Sequence, residues 1–391
     1  MQLFKHQGKA SKKIQKKLKK YSVCLLAGEP RSGKTLSFID ASNALYERIL
    51  IITTKKAMGD IQIALNEYKT TSHFDVINYH SCQKLHHEKY DCVILDEAHN
   101  YITGYPKRSA IWNNVFHFTK RCIPIIYSSG TPTPEGYAGL FNMFALSYKS
   151  PWKKYKRFTS WHINYGKPYT IRVNGYNIQQ YDRTHEDKVK KRIKPLTVTI
   201  TRKEAGHKYE AKDKLHHIKL SKKQKKIIKM LDTEYVYDKK DFTILADTPS
   251  KLIQKKHQIN GGTVKCEDSK LMIFKNNPKV EYINKHFDTN QCIILAFFKA
   301  EQELLSKIFP NVGSVISNAE GVDYSHFQHM IIFSMSYAAK SYEQVRARQL
   351  NIVKRKSKVI VHFLISGIDQ KIYEAVSNKK DFTASWYKGN K

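Results

Sequence analysis

The chain has 391 residues, enough for two or three domains with sizeable cores. It carries 68 Lys and Arg against 34 Asp and Glu, a formal charge of +34, and a protein this basic calls for a polyanionic partner, with nucleic acid ahead of a membrane surface. No apolar run approaches the roughly 20 residues of a spanning helix, Met1–His6 lacks the apolar centre of a signal peptide, and the six cysteines show neither C-x-x-C nor zinc spacing. The expectation is a protein of the reducing cytoplasm in which it is made, with no membrane partner.

The first third alternates strand and helix patterns. Lys9–Lys20 reads as an amphipathic basic helix, either a solvated face or a phosphate contact. Apolar runs at Ser22–Ala27, Arg48–Thr53, Phe74–Tyr79, Asp91–Leu95 and Ile123–Ser128 read as strands. That alternation predicts a parallel sheet covered on both faces, with ligands at the carboxyl ends of its strands.

Two motifs sit at such ends. Gly28-Glu-Pro-Arg-Ser-Gly-Lys34-Thr35 fits G-x-x-x-x-G-K-[ST] after the first strand. Its backbone N–H groups, with Gly28, Arg31, Ser32 and Gly33 in the loop, would cradle a polyphosphate at a helix N-terminus. Lys34 would hold the β- and γ-phosphates and Thr35 a Mg²⁺. The strand Cys92–Leu95 then runs into Asp96 and Glu97. Asp96 would organise the Mg²⁺ and Glu97 would orient or deprotonate the attacking water. Either motif alone has a bland reading as a turn; together they point to an ATPase that uses ATP and Mg²⁺.

From about Pro151 to Lys194 aromatic and basic residues dominate without a clear period. This reads as an insertion on the first domain, either core packing or a stacking platform for bases. Leu196–Arg202 reads as a strand returning to that domain. A second alternation follows: a helix over Leu220–Tyr237, a strand over Cys292–Phe297, a helix over Lys299–Ile308, strands at Gly313–Ile316, Met330–Met335 and Lys358–Ile365, and helices over Ser341–Val353 and Ile368–Ser377. The pairs His86-His87 and His216-His217 lack metal spacing and read as structural.

In this order the motifs resemble those of superfamily 2 helicases and translocases of the DEAH type, within them the compact Swi/Snf-like group encoded by phages and viruses. The resemblance spans nearly the whole chain. Leu3-Phe-Lys-His-Gln7 is similar to the adenine-reading segment, which puts Gln7 on the base; Gly33-Lys34-Thr35 is similar to motif I. Ile52-Thr-Thr54-Lys55 and Asn78-Tyr79-His80 resemble segments that touch the nucleic-acid backbone, which implies contacts from Thr54, Lys55 and Tyr79. Asp96-Glu97-Ala98-His99 resembles motif II and Ser129-Gly130-Thr131-Pro132 motif III. Pro195–Glu204 and Leu220–Gln224 resemble the crossing between lobes, Ile293–Lys299 motif IV, with Lys299 on nucleic acid, and Glu320-Gly321-Val322-Asp323 motif V, with Gly321 and Asp323 on nucleotide.

Motif VI departs from the pattern: Gln344 and Arg348 match it, but Asn351 stands where a second arginine is usual. Either Arg348 is the catalytic arginine finger, or the helix register slips toward Arg346, or hydrolysis is slow.

The resemblance implies two RecA-like parallel-sheet α/β lobes in tandem, residues 1–212 (insertion at about 150–195) and 213–391, with ATP between them. It implies an ATP-dependent DNA helicase or translocase. An RNA helicase and a non-motor nucleic-acid clamp with weakened ATPase are the alternatives.

Overall fold

The computed structural model describes residues 2–130, 136–173, 176–206, 211–316, 324, 326–347, 359–378 and 382. The chain divides into two compact units, Met1–Gly206 and His207–Lys391.

In the first unit the strands are β1 (Val23–Gly28), β2 (Arg48–Thr53), β3 (His73–Asn78), β4 (Cys92–Asp96), β5 (Ile125–Ser129), the hairpin β6 (Tyr169–Val173) and β7 (Tyr176–Gln180), and β8 (Thr197–Ile200). The helices are α1 (Lys5–Tyr21), α2 (Lys34–Asn43), α3 (Ala57–Tyr68), α4 (Ala110–Thr119), α5 (Leu140–Phe144), α6 (Phe158–Tyr165) and α7 (Glu186–Ile193). Six strands form one sheet in the order β3-β2-β4-β5-β1-β8, and every pairing in it is parallel.

The strands are apolar throughout because both faces are covered. Leu25, Leu50, Ile52, Val93, Leu95 and Tyr127 belong to one buried cluster. Their alternate neighbours Cys24, Leu26, Ile49, Ile51, Ile94 and Ile126 belong to the other, where Ile14 and Leu18 of α1 meet Phe38 of α2. Helix α1 is the basic helix expected from sequence. Like charges one turn apart cost it about 0.2–0.5 kcal/mol per pair. Burying Ile14 and Leu18, both at most 2 % exposed, is worth about 1.5–3 kcal/mol each and decides the balance.

The tryptophans of the aromatic segment after residue 150 are core. Trp152 and Trp161 are fully buried and pack edge-to-face, with Phe141, Phe144, Phe158 and Tyr165 around them. These rings pack edge-on and tilted against one another, and the two tryptophans are closed off from solvent.

The second unit has β9 (Ala211–His217), the hairpins β10 (Val236–Lys239) with β11 (Phe242–Leu245) and β12 (Thr263–Lys265) with β13 (Leu271–Ile273), then β14 (Cys292–Ala296), β15 (Val312–Ser314), β16 (His329–Ile332) and β17 (Val359–Ile365). Its helices are α8 (Lys222–Glu234), α9 (Pro249–Asn260), α10 (Pro278–His286), α11 (Lys299–Ser306), α12 (Ala339–Ala347) and α13 (Asp369–Ser377). The main sheet runs β15-β14-β16-β17-β9, again all parallel. Between β9 and α10, helices α8 and α9 and the two hairpins enclose a small core of their own, with Ile227, Leu231, Ile244 and Ile259 fully buried. The two α/β parallel-sheet lobes expected from sequence are therefore present. No described helix is long and apolar enough to cross a membrane.

Candidate nucleotide site

Strand β1 ends at Gly28, and α2 starts at Lys34 after the turn. Two glycines shape that turn. Gly33 has φ +82°, and a side chain there would meet the amide nitrogen of Gln7 at 2.5 Å. A side chain at Gly28 would meet Cγ of Lys34 at 2.5 Å. Without one, Lys34 folds back over the strand end and its Nζ donates to the Gly28 carbonyl at 2.9 Å. Gly130, just past β5, leaves the same ammonium room: a side chain would sit 3.4 Å from Nζ. Ser32 is buried, and its Oγ has no hydrogen-bond partner among the described residues. Thr35 is half-buried in the first turn of α2.

Gln7 is buried against this loop. Its Oε1 accepts the Phe4 N–H at 2.8 Å, and its amide nitrogen faces Gly33. The His6 ring nitrogen lies 3.2 Å from the Ser32 carbonyl. The segment expected to read a base thus also props the phosphate loop.

Asp96 closes β4, separated from β1 only by β5. The register puts Thr53 beside it, and the Thr53 hydroxyl donates to Asp96 Oδ2 at 2.9 Å. Burial first, and the Glu97 charge second, push the Asp96 carboxyl up to about 6, while Lys34 acts the other way. The Lys34 ammonium is therefore close enough to act on the Asp96 carboxylate. Glu97 has φ +48°, a left-handed conformation costly for a residue with a side chain. Its Oε2 is buried, accepts no hydrogen bond from a described residue and lies 3.4 Å from Nδ1 of His99. His99, fully buried, also has Nδ1 2.7 Å from Ser129 Oγ at the end of β5. Thr53, His99 and Ser129 belong to motifs legible in the sequence, which by itself assigns them no role in the site. The signal for Thr53 was there: it ends the strand that neighbours Asp96.

Other expected site residues fall elsewhere. Tyr79, expected on nucleic acid, is fully buried; its hydroxyl donates to the Asp96 carbonyl at 2.8 Å and its ring stacks on Tyr101 at 4.2 Å. That corrects the expectation: Tyr79 braces the strand end below the carboxylates and offers no surface to a phosphate. Thr54 is nearly buried and its Oγ1 accepts the Ala57 N–H at 3.2 Å, starting α3, while Lys55 beside it is exposed. Lys299 opens α11, and its side chain is 89 % exposed.

In the second unit, Gln344 is half-buried on α12. Arg346, the alternative finger, is tied down inside its own unit. Its Nε pairs with Asp213 at 2.8 Å and a terminal nitrogen donates to the Ala211 carbonyl at 2.6 Å. Arg348, Asn351, Gly321, Asp323, Thr131 and Pro132 lie outside the described residues.

The family model described as the SNF2-related domain matches residues 11–268. The chain belongs to the SNF2-related family. That match takes in the phosphate loop, the Asp96–Glu97 pair and the first strands of the second unit. Among curated proteins none matches. Among solved structures, the chain is similar to one described as the Sulfolobus solfataricus SWI2/SNF2 ATPase core in complex with dsDNA. Identity is 16%, coverage 98% of this chain and 93% of that one, and the TM-score 0.43.

Proposed function

We propose that this SNF2-related chain is a nucleic-acid-dependent ATPase that moves on or remodels DNA. The observation that carries the reading is one parallel sheet in which Lys34, just past the end of β1, stands two strands from the buried Asp96 that closes β4, with Glu97 next to it.

The residues fit a nucleotide with Mg²⁺. Gly28 and Gly33 leave room for Lys34 and Gln7 against the loop, Ser32 Oγ is an orphaned polar atom, and Glu97 Oε2 is a buried acceptor without a hydrogen-bond donor among the described residues. Lys34 would leave the Gly28 carbonyl for the phosphates. Thr35 and Asp96 would hold Mg²⁺, which supplies charge neutralisation at the phosphoryl oxygens. Glu97 would accept a proton from water, a role typically worth 10²–10⁴-fold. Gln7, Arg31, Ser32, Gly321 and Asp323 are proposed to complete the nucleotide contacts, with Gln344 and Arg348 serving hydrolysis.

The charge of +34 supports a polyanionic track, and Thr54, Lys55 and Lys299 are the proposed contacts. DNA rather than RNA, unwinding rather than translocation alone, and a phage or viral setting rest on family resemblance. The deciding experiment measures ATP hydrolysis with no nucleic acid, single-stranded DNA, duplex DNA and RNA side by side. Stimulation by duplex DNA is expected. Stimulation by RNA alone would favour an RNA helicase, and no hydrolysis under any condition would leave a clamp.

A further inference from the structure

Helix α1 is two-sided. One seam, Ala10, Ile14 and Leu18, is buried, and Gln7 on the same side reaches Gly33 of the phosphate loop. The helix also holds eight lysines and no acidic residue. Seven of them, Lys5, Lys9, Lys12, Lys13, Lys16, Lys19 and Lys20, are exposed, and at 100° per residue they cover an arc of about 120° opposite the seam. No α1 lysine has a described carboxylate within 4 Å. Lys17 and Lys20 only approach the Tyr21 ring, at 5.9 and 5.3 Å.

A solvated helix face ordinarily mixes signs, because like charges one turn apart are mutually destabilising. Here every such pair repels. Where the face meets the end of β8 there is a pocket of about 280 Å³, lined by Lys5, His6, Lys9, Lys13, Thr199 and Glu204. Glu204 is the acid in that lining. Its Oε2 already accepts the Thr201 N–H at 2.8 Å and the Thr201 hydroxyl at 3.0 Å, so it is turned to its own loop.

We propose that the outer face of α1 is a second nucleic-acid surface, which grips the phosphodiester backbone of duplex DNA through its lysine stripe. This rests on the nucleic-acid reading above and adds to it. The surface is separate from the contact proposed at Thr54 and Lys55. Those residues follow β2, four strands across the sheet from β8, about 19 Å at the spacing of paired strands. A helix of 17 residues is about 25 Å long, which matches the rise of about seven base pairs. Lysines supply point charges without base readout, so the surface positions the duplex and takes any sequence.

The test is the combined variant Lys9→Ala, Lys13→Ala and Lys16→Ala against a control, Lys69→Ala, Lys285→Ala and Lys307→Ala, which removes the same charge from three scattered exposed sites. Duplex DNA affinity is measured from low to physiological salt, with ATPase rate as a function of DNA concentration. For the α1 variant the salt slope should fall by about two to three, at about 0.9 per phosphate contact. Its affinity at low salt should fall about tenfold or more, with basal and DNA-saturated turnover unchanged; the control should keep the parent slope. An α1 variant with the parent slope, or a control that loses as much, overturns the proposal. So does an α1 variant that keeps its duplex affinity and loses only binding to polyglutamate, which would make the face a seat for an acidic protein. A parent chain that binds no duplex DNA would overturn the functional reading as well, an outcome distinct from the others.

Discussion

Ser129 Oγ and His99 Nδ1 lie 2.7 Å apart, which ties the end of β5 to the residue two beyond Glu97. The same nitrogen is 3.4 Å from Glu97 Oε2. Glu97 itself sits in a strained left-handed backbone conformation. The end of β5 at Ser129 is thus linked to Glu97 through one imidazole that meets both side chains.

Ser129→Ala removes that contact without touching the phosphate loop. ATP affinity should be retained. Nucleic-acid-stimulated turnover should fall by about tenfold to a hundredfold, the loss that small misplacements of catalytic groups produce. Steady-state ATPase assays with and without DNA check this, and parent-like stimulation would remove the link from the mechanism.

Glu97→Gln keeps the shape of the side chain and removes its basicity. Nucleotide binding should persist while turnover falls by about 10²–10⁴-fold. Lys34→Ala should instead weaken nucleotide binding itself, because the ammonium is the loop's point charge. Equilibrium binding of a fluorescent ATP analogue separates the two variants. Parent-like hydrolysis by Glu97→Gln would mean that the base lies elsewhere.

The parallel sheets were legible in the sequence because their strands are buried on both faces and read as unbroken apolar runs. Lys34 and Asp96 stand out in the sequence only as a pair, because the glycine loop and the two carboxylates each follow a strand, while either motif alone reads as a turn. What escaped was any role set by contact across the fold. Tyr79 looked like a surface aromatic, yet its hydroxyl is used by a carbonyl 17 residues on. Trp152 and Trp161 sit among lysines in the sequence, and only the fold turns the rings inward and the charges out. Arg346 reads from the sequence as an alternative finger, and its pairing with Asp213, far off in sequence, shows only in the fold.

That pairing predicts a structural role for Arg346. Asp213 accepts from Arg346, from the Tyr342 hydroxyl and from the Tyr373 hydroxyl, so it joins β9 to α12 and α13. Arg346→Ala should lower unfolding free energy by about 1.5–3 kcal/mol, the value of hydrogen bonds to a charged group. It should leave turnover unchanged where the protein is folded. Arg348→Ala should preserve stability and cost about 10³-fold or more in turnover if it is the finger. Denaturant melts and ATPase rates on both variants decide the register. A well-folded Arg346→Ala that is inactive would reassign the finger.

Acid sensitivity should come from a chain of imidazoles in the second unit. His362 has Nδ1 2.9 Å from His216 Nε2 and Nε2 3.2 Å from His329 Nδ1, and His216 also meets the Tyr282 hydroxyl at 2.8 Å. Phe287 packs edge-on against His362, and His286 stacks on Tyr282. Burial, then the His216 and His329 charges, then that of Lys214, push His362 down to about 3, and burial lowers His216 too. A folded-state value below the free value of 6.5 means that the unfolded chain binds the proton more tightly. Stability from His362 is therefore complete above about pH 6.5 and is lost as pH falls toward 3, at up to about 1.4 kcal/mol per pH unit. His257, pushed down to about 4 by burial, acts in the same direction. Glu301, pushed up to about 8 by burial, acts in the opposite one, so the net slope is a difference. Comparing the parent with His362→Gln isolates the one group. Between pH 7 and 5 the parent should lose about 1–2 kcal/mol more than the variant in urea unfolding. Equal losses in both would show that His362 does not carry the acid response.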